Sequence, residues 1–206
     1  MYAQLLIAAS FVIAAYQDIR ERAVSDLVWI PAAAGIAYVV YDLLASSLTM
    51  DLEFIVLKVA LIGGISLAFA YLGGIGEADA IALAVLAADP YALSPLTALF
   101  ATAIVALVHI GYEYGVGNAR GKKTIPMAQF LREQRWIPKA IISGETRTEV
   151  DSDVNVAREE VEASGKADAS VEVSYGVPTV AYIGIGYAAY LVYLVAFNYS
   201  AFAALP

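Results

Sequence analysis

The 206-residue sequence predicts an all-α polytopic membrane protein with six transmembrane helices and a small cytoplasmic antiparallel β-rich insert. Three observations carry this. The chain is 61% hydrophobic and only 16% charged, against about 25% charged in ordinary soluble domains. Its apolar residues gather into long runs separated by short polar punctuation. Polar, strand-like sequence is confined to one stretch, residues 118–176, which divides the chain into helices 1–117, the insert, and a last helix in 177–206.

A helix crossing the hydrocarbon core needs about 20 largely apolar residues, and six runs qualify to differing degrees: 2–17, 27–48, 54–72, 79–88, 92–116 and 177–205. The first opens "MYAQLLIAASFVIAAYQ" with no positive leading region and is followed by further spans, so it reads as a retained helix rather than a secretory signal. The fourth is short. Asp89, Pro90, Ser94 and Pro95 punctuate its boundary with the fifth as turn formers, and a re-entrant turn there would reduce the count to five.

Lysine and arginine in short loops favour the cytoplasm. Arg20 and Arg22 follow the first span, and Arg120, Lys122 and Lys123 follow the fifth, whereas the loops around 49–53 and 88–91 hold Asp51, Glu53 and Asp89 but no cation. With six spans, this places the N-terminus outside and the insert in the cytoplasm of a multi-pass cell-membrane protein surrounded by lipid. Lys58, the one cation inside a span, is expected near the outer end of the third, with its head snorkelling to the surface. Asp42, 15 residues past Leu27, is expected about 22 Å deeper than the first loop, towards the exterior.

In the insert, "PMAQFLREQRW" is a short amphipathic helix candidate. "TRTEVDSDVNV" and "ASVEVSY" alternate in period two, with Val150, Val154 and Val156, then Val171, Val173 and Tyr175, on one face. The expectation is three or four antiparallel strands, with "AREEVEASGK" left open among helix, strand and loop. The segment holds nine Lys/Arg and ten Asp/Glu, so no basic face points to nucleic acid. Most of the net charge of −8 belongs instead to the membrane part, with three cations against ten acids.

The reactive inventory is small. There are no cysteines and a single histidine, His109, so thiol chemistry, Cys-ligated zinc and His-rich metal sites are out of reach, and no metal or cofactor is expected. His109 and Glu113 lie four apart on one helix face and read as a structural polar contact more readily than as an acid–base pair. No serine sits in a G-x-S-x-G setting. Two aspartates remain. Asp18 ends the first span and Asp79 opens the fourth, both at the cytoplasmic face. Carboxylates held close together share one proton and titrate as a unit. The ionised member can then deprotonate water while the protonated member polarises a peptide carbonyl. On residues alone, a proton-coupled carrier or a membrane scaffold remains the alternative.

At these residues the sequence resembles the GxGD-type aspartic membrane proteases, and within them the archaeal preflagellin peptidases, relatives of the bacterial type IV prepilin peptidases. Asp18-Ile19-Arg20 leads into Arg22-Ala23-Val24-Ser25-Asp26, similar to the family's first motif, and Gly76-Glu77-Ala78-Asp79 lines up with G-x-G-D, with Ala78 where the motif has its second glycine. The resemblance covers most of the chain. The larger bacterial enzymes add a cysteine-bearing domain and an N-methylation activity, for which this chain has neither the cysteines nor the loop length. The resemblance implies Asp18 and Asp79 as the catalytic pair. It also implies precursors of archaellins or pilin-like subunits as substrates, each with a short positive leader ahead of a hydrophobic helix. Gly74, Gly76, Glu77 and Ala78 would form a substrate or gating loop beside Asp79, and Glu21 and Asp26 would attract the basic leader, helped by Glu77.

Overall fold

The structure is a computed structural model that describes residues 2–72, 75–90, 94–117, 119, 121–133, 135–151, 154–164 and 169–197. Helix α1 covers Tyr2–Glu21 and α2 Ile30–Ala45, the latter entered through a 3-10 turn at Asp26–Trp29. The third apolar run is α3, Thr49–Lys58, a π-helical turn, Val59–Gly63, and α4, Gly64–Tyr71. Then come α5, Glu77–Ala87, and α6, Ser94–Gly115. The insert contributes β1 Lys123–Pro126, α7 Met127–Arg132, β2 Trp136–Ser143, β3 Thr146–Glu149, α8 Val154–Ala163 and β4 Ser170–Tyr175, and α9 covers Thr179–Phe197.

Among the described residues, five helices are long and apolar enough to cross a membrane: Tyr2–Glu21, Asp26–Ala45, Met50–Tyr71, Pro95–Gly115 and Thr179–Ala196. They expose large apolar side chains such as Val12, Leu61, Phe100 and Val192, which in water would be an aggregation surface and in lipid is the expected exterior. The fourth expected span is different. Helix α5 has 11 residues, about 16 Å of helix against a core of about 30 Å. It can be this short because its neighbours shelter it: Ala80, Ala82, Val85, Leu86 and Ala87 are all buried.

The chain divides into two compact units. One comprises residues 1–16, 24–106 and 179–206, the other 17–23 and 107–178. In the first, Phe11 is the hub of the apolar core. Its ring meets Trp29 edge-on at 5.7 Å and Tyr187 at 5.2 Å. Small residues let the helices close around it. A Cβ on Gly184 would lie 3.2 Å from the Phe11 carbonyl oxygen, and one on Gly35 would lie 2.9 Å from that of Ala3. Where no water reaches a helix end, another helix must satisfy it. The N–H of Ala32, in the first turn of α2 behind Pro31, donates to the Ser10 hydroxyl of α1 at 2.9 Å.

In the second unit the four strands form one antiparallel sheet in the order β1-β4-β2-β3. Val171 and Val173 of β4 are fully buried and pack with Phe130, Trp136 and Val161, as the period-two reading of "ASVEVSY" requires. The other alternating stretch is half strand. Thr146–Glu149 pairs with β2, but Val154 and Val156 belong to helix α8, which inserts Ala157 and Val161 at helical spacing. The "AREEVEASGK" stretch is therefore mostly helix. Strand β2, "WIPKAIIS", tolerates Pro138 because the pairing with β4 is irregular between Pro138 and Ala140, where a missing N–H costs no regular ladder bond.

Candidate active site

Each aspartate is built by its own local structure. Asp18 lies in the last turn of α1 and is 6% exposed. Carbonyl dipoles leave negative potential at this end of the helix. The helix closes through Arg22. Its backbone N–H and its guanidinium both donate to the Asp18 carbonyl oxygen, at 3.2 Å and 3.0 Å. To do this Arg22 takes φ = 54°, the left-handed conformation usually left to glycine at this position.

The Arg22 guanidinium also lies over the Tyr175 ring, 5.9 Å from its centroid, so the end of β4 is joined to the end of α1 within the same unit. Burial and the neighbouring Glu113 carboxylate hold the Tyr175 hydroxyl in its neutral form above the usual tyrosine range. Glu113 in turn sits 3.6 Å from His109 one turn earlier, the structural contact expected from their spacing, and the His109 ring lies 6.5 Å from that of Tyr175. The contact between Arg22 and Tyr175 is one that the sequence reading missed. Arg22 was read as a loop cation and as part of the first motif, Tyr175 as a strand residue, and no linear spacing joins them.

Asp79 is the third residue of α5 and half-buried. Its carboxylate accepts from the Gly76 N–H at 3.2 Å, capping the helix start, where negative charge is favoured. Glycine has no side chain to reciprocate, so only this half of a capping box is made. Gly76 has φ −71° and ψ 154°, ordinary extended backbone. Among the described residues, a Cβ there would meet only the Asp79 carboxylate, at 3.4 Å. Glu77 and Gly76 are exposed and Ala78 half-buried, while Gly74 lies outside the described residues. Of the acids expected to attract a basic leader, Glu21 and Asp26 are both exposed, Asp26 at the start of its 3-10 turn behind the Ser25 cap. Asp18 belongs to one unit and Asp79 to the other.

One residue departs from its sequence reading. Lys58 does not snorkel to a surface: it is 8% exposed and its ammonium donates to the Asp89 carbonyl oxygen at 2.6 Å. Asp89 lies in the bend that follows α5, as expected of a turn former, but is fully buried, and its carboxylate accepts from the Tyr187 hydroxyl at 2.8 Å. Among the described residues no group of acids and histidines is arranged to hold a metal ion.

No curated protein and no solved structure matches the chain. A family model does. The model of the type IV leader peptidase family matches residues 5–111, from within α1 to within the last turns of α6, a stretch that contains both Asp18 and Asp79. The match spans just over half of the 206 residues, and this chain, a multi-pass membrane protein by its apolar helices, belongs to the type IV leader peptidase family, a family of aspartic proteases that remove leader peptides.

Proposed function

We propose that the protein is a membrane-embedded aspartic endopeptidase that removes a short, positively charged leader from archaellin or pilin-like precursors at the cytoplasmic face, with Asp18 and Asp79 activating water between them. The family match over both aspartates carries this reading. Their environments support a division of labour. Asp79 is half-buried and accepts the Gly76 N–H at a helix start, whereas Asp18 is buried at a helix end. In this mechanism Asp79 takes a proton from water, the resulting hydroxide attacks the scissile carbonyl, and Asp18 donates a hydrogen bond to the carbonyl oxygen. The proton held by Asp79 then passes to the departing amine.

The orientation is part of the proposal, and chain parity supports it. Arg22 at the end of α1 touches Tyr175 of the insert, so the first loop and the insert share one side of the membrane. Between those points the chain must cross an even number of times. The spans 26–45, 50–71 and 95–115 make three, so the segment containing α5 must supply the fourth. The proposed topology therefore keeps six crossings, one of them made only in part by the short α5. The five cations beside the membrane ends then all fall on the side of the insert.

The test is purified full-length protein in proteoliposomes with a precursor bearing a Lys-rich leader, followed by a size shift of the product. Asp18→Asn and Asp79→Asn each lose at least about 1,000-fold in turnover while remaining folded, the scale expected when an acid or base is removed. A carrier would instead show flux without product, and cleavage by either variant would refute the assignment.

A further inference from the structure

The Lys58–Asp89–Tyr187 cluster has no part in the chemistry above, yet it is the most buried charged group in the membrane part. Asp89 and Tyr187 are fully buried and Lys58 nearly so. Lys58 lies eight residues inside the span Met50–Tyr71, and Tyr187 eight residues inside α9, so each is about 12 Å along its helix from the nearer end. Charged groups at this depth are costly and persist where they pair and perform a task.

The task follows from α5. An 11-residue helix is too short to cross the core alone, and its last turn ends among buried residues, Leu86, Ala87, Ala88 and Asp89, so its last carbonyls need partners from the protein. The last turn tightens to use some of them: the N–H groups of Ala88 and Asp89 donate to carbonyls of Ala84, Val85 and Leu86. The Lys58 ammonium then takes the Asp89 carbonyl, placing a positive charge at the negative end of the helix dipole and balancing the Asp89 carboxylate. Tyr187 ties that carboxylate to α9. The π turn begins at Val59, directly after Lys58, and within it Gly63 lies against Ala84 of α5, where an added Cβ would approach to 3.1 Å. One end of α5 is thus fastened to two other spans. The opposite end carries Asp79, ten residues away.

We propose that Lys58, Asp89 and Tyr187 form an intramembrane lock on the buried end of α5 and act as positioning residues for Asp79. The lock rests on the reading of Asp79 as catalytic. A helix fastened at one end and sheltered along its length moves as a rod, so slack at the lock displaces the carboxylate at the far end, and misplacement of about 1 Å can cost a hundredfold in rate.

The experiment compares Lys58→Met, Asp89→Asn, Tyr187→Phe and the Lys58→Met/Asp89→Asn double variant in the full chain, with Asp79→Asn as control and a Lys-rich-leader precursor as substrate. Each charge single removes one of two opposite buried charges and lowers the folded yield, and the double variant recovers that yield because it removes both. Positioning predicts that kcat of the folded double variant nevertheless stays about 100-fold low with KM within about threefold of the parent, and that Tyr187→Phe lowers kcat by about 10-fold. If the folded double variant regains parental kcat, the cluster merely supports the fold and the proposal is overturned. It is also overturned if both charge singles fold and turn over as the parent does. An active Asp79→Asn would instead remove the catalytic reading itself, and the lock with it.

Discussion

At Arg22 the fold accepts a local penalty. An L-residue in the left-handed conformation costs about 1–2 kcal/mol, and here it brings a guanidinium onto the Asp18 carbonyl and the Tyr175 ring at once. The two effects separate in variants. Arg22→Ala loses both contacts and keeps the strain, whereas Arg22→Gly loses the same contacts and relieves it. Arg22→Gly should therefore be the more stable of the two by about 1 kcal/mol in thermal unfolding, with both cleaving more slowly than the parent. Equal stability would mean that the conformation carries no strain. Gly76 is the opposite case. Its backbone is ordinary and its surroundings admit a methyl group, so Gly76→Ala should cost under about 1 kcal/mol and leave measurable cleavage. Abolished cleavage would mean that the motif glycine serves a conformation other than this one. The aspartates and their helix ends were legible in the sequence because a carboxylate bordering an apolar run is conspicuous. The contact between Arg22 and Tyr175 was not, because 153 positions separate them in the chain.

Among the elements, the helices reveal their packing through small residues. Gly186 on α9 faces Ala98 and Thr102 on α6, where an added Cβ would run into both, and the Thr102 hydroxyl lies 3.2 Å from the Tyr182 carbonyl. Gly111 of α6 has open space around it. Gly186→Leu should reduce the folded fraction sharply, by several kcal/mol of overpacking if α6 and α9 cannot separate, while Gly111→Leu remains near parental in size-exclusion profile and melting. Similar behaviour of the two would contradict the close approach. The long apolar runs were readable because length and hydropathy alone decide them. The short α5 was only half readable: its residues are apolar on every side, so composition reports burial without saying that the helix stops partway. In the insert, Val154 and Val156 alternate like a strand for too few residues to outweigh the helical spacing of Ala157 and Val161. Pro138 concealed β2 because proline normally argues against an inner strand.

Across the whole molecule, the ion pairs among the described residues gather mostly in the insert. In the insert, Arg147 and Lys122 hold the Glu172 carboxyl below its ordinary range, and Arg147 does the same for Glu149. Burial opposes the shift at Glu133, yet hydrogen bonds from Trp136, Arg135 and Gln129 lower it as well. Lowered folded-state values mean that these carboxylates bind protons more readily when the insert unfolds. Their contribution is therefore complete above the unfolded carboxylate range, about pH 4.3, and is lost as pH falls through the lowered folded values. Acid should loosen the insert before the spans, whose packing around Phe11 and Trp29 is apolar. The two tryptophans report separately, since Trp29 belongs to that core and Trp136 to the insert. In a Trp29→Phe background, Trp136 emission should shift towards that of exposed indole on acidification, while helical circular dichroism persists. Glu133→Gln should move that transition, because Glu133 accepts directly from the Trp136 indole N–H at 2.8 Å. If emission and helicity instead change together, the insert and the spans unfold as one cooperative body, and the ion pairs of the insert do not set its acid limit.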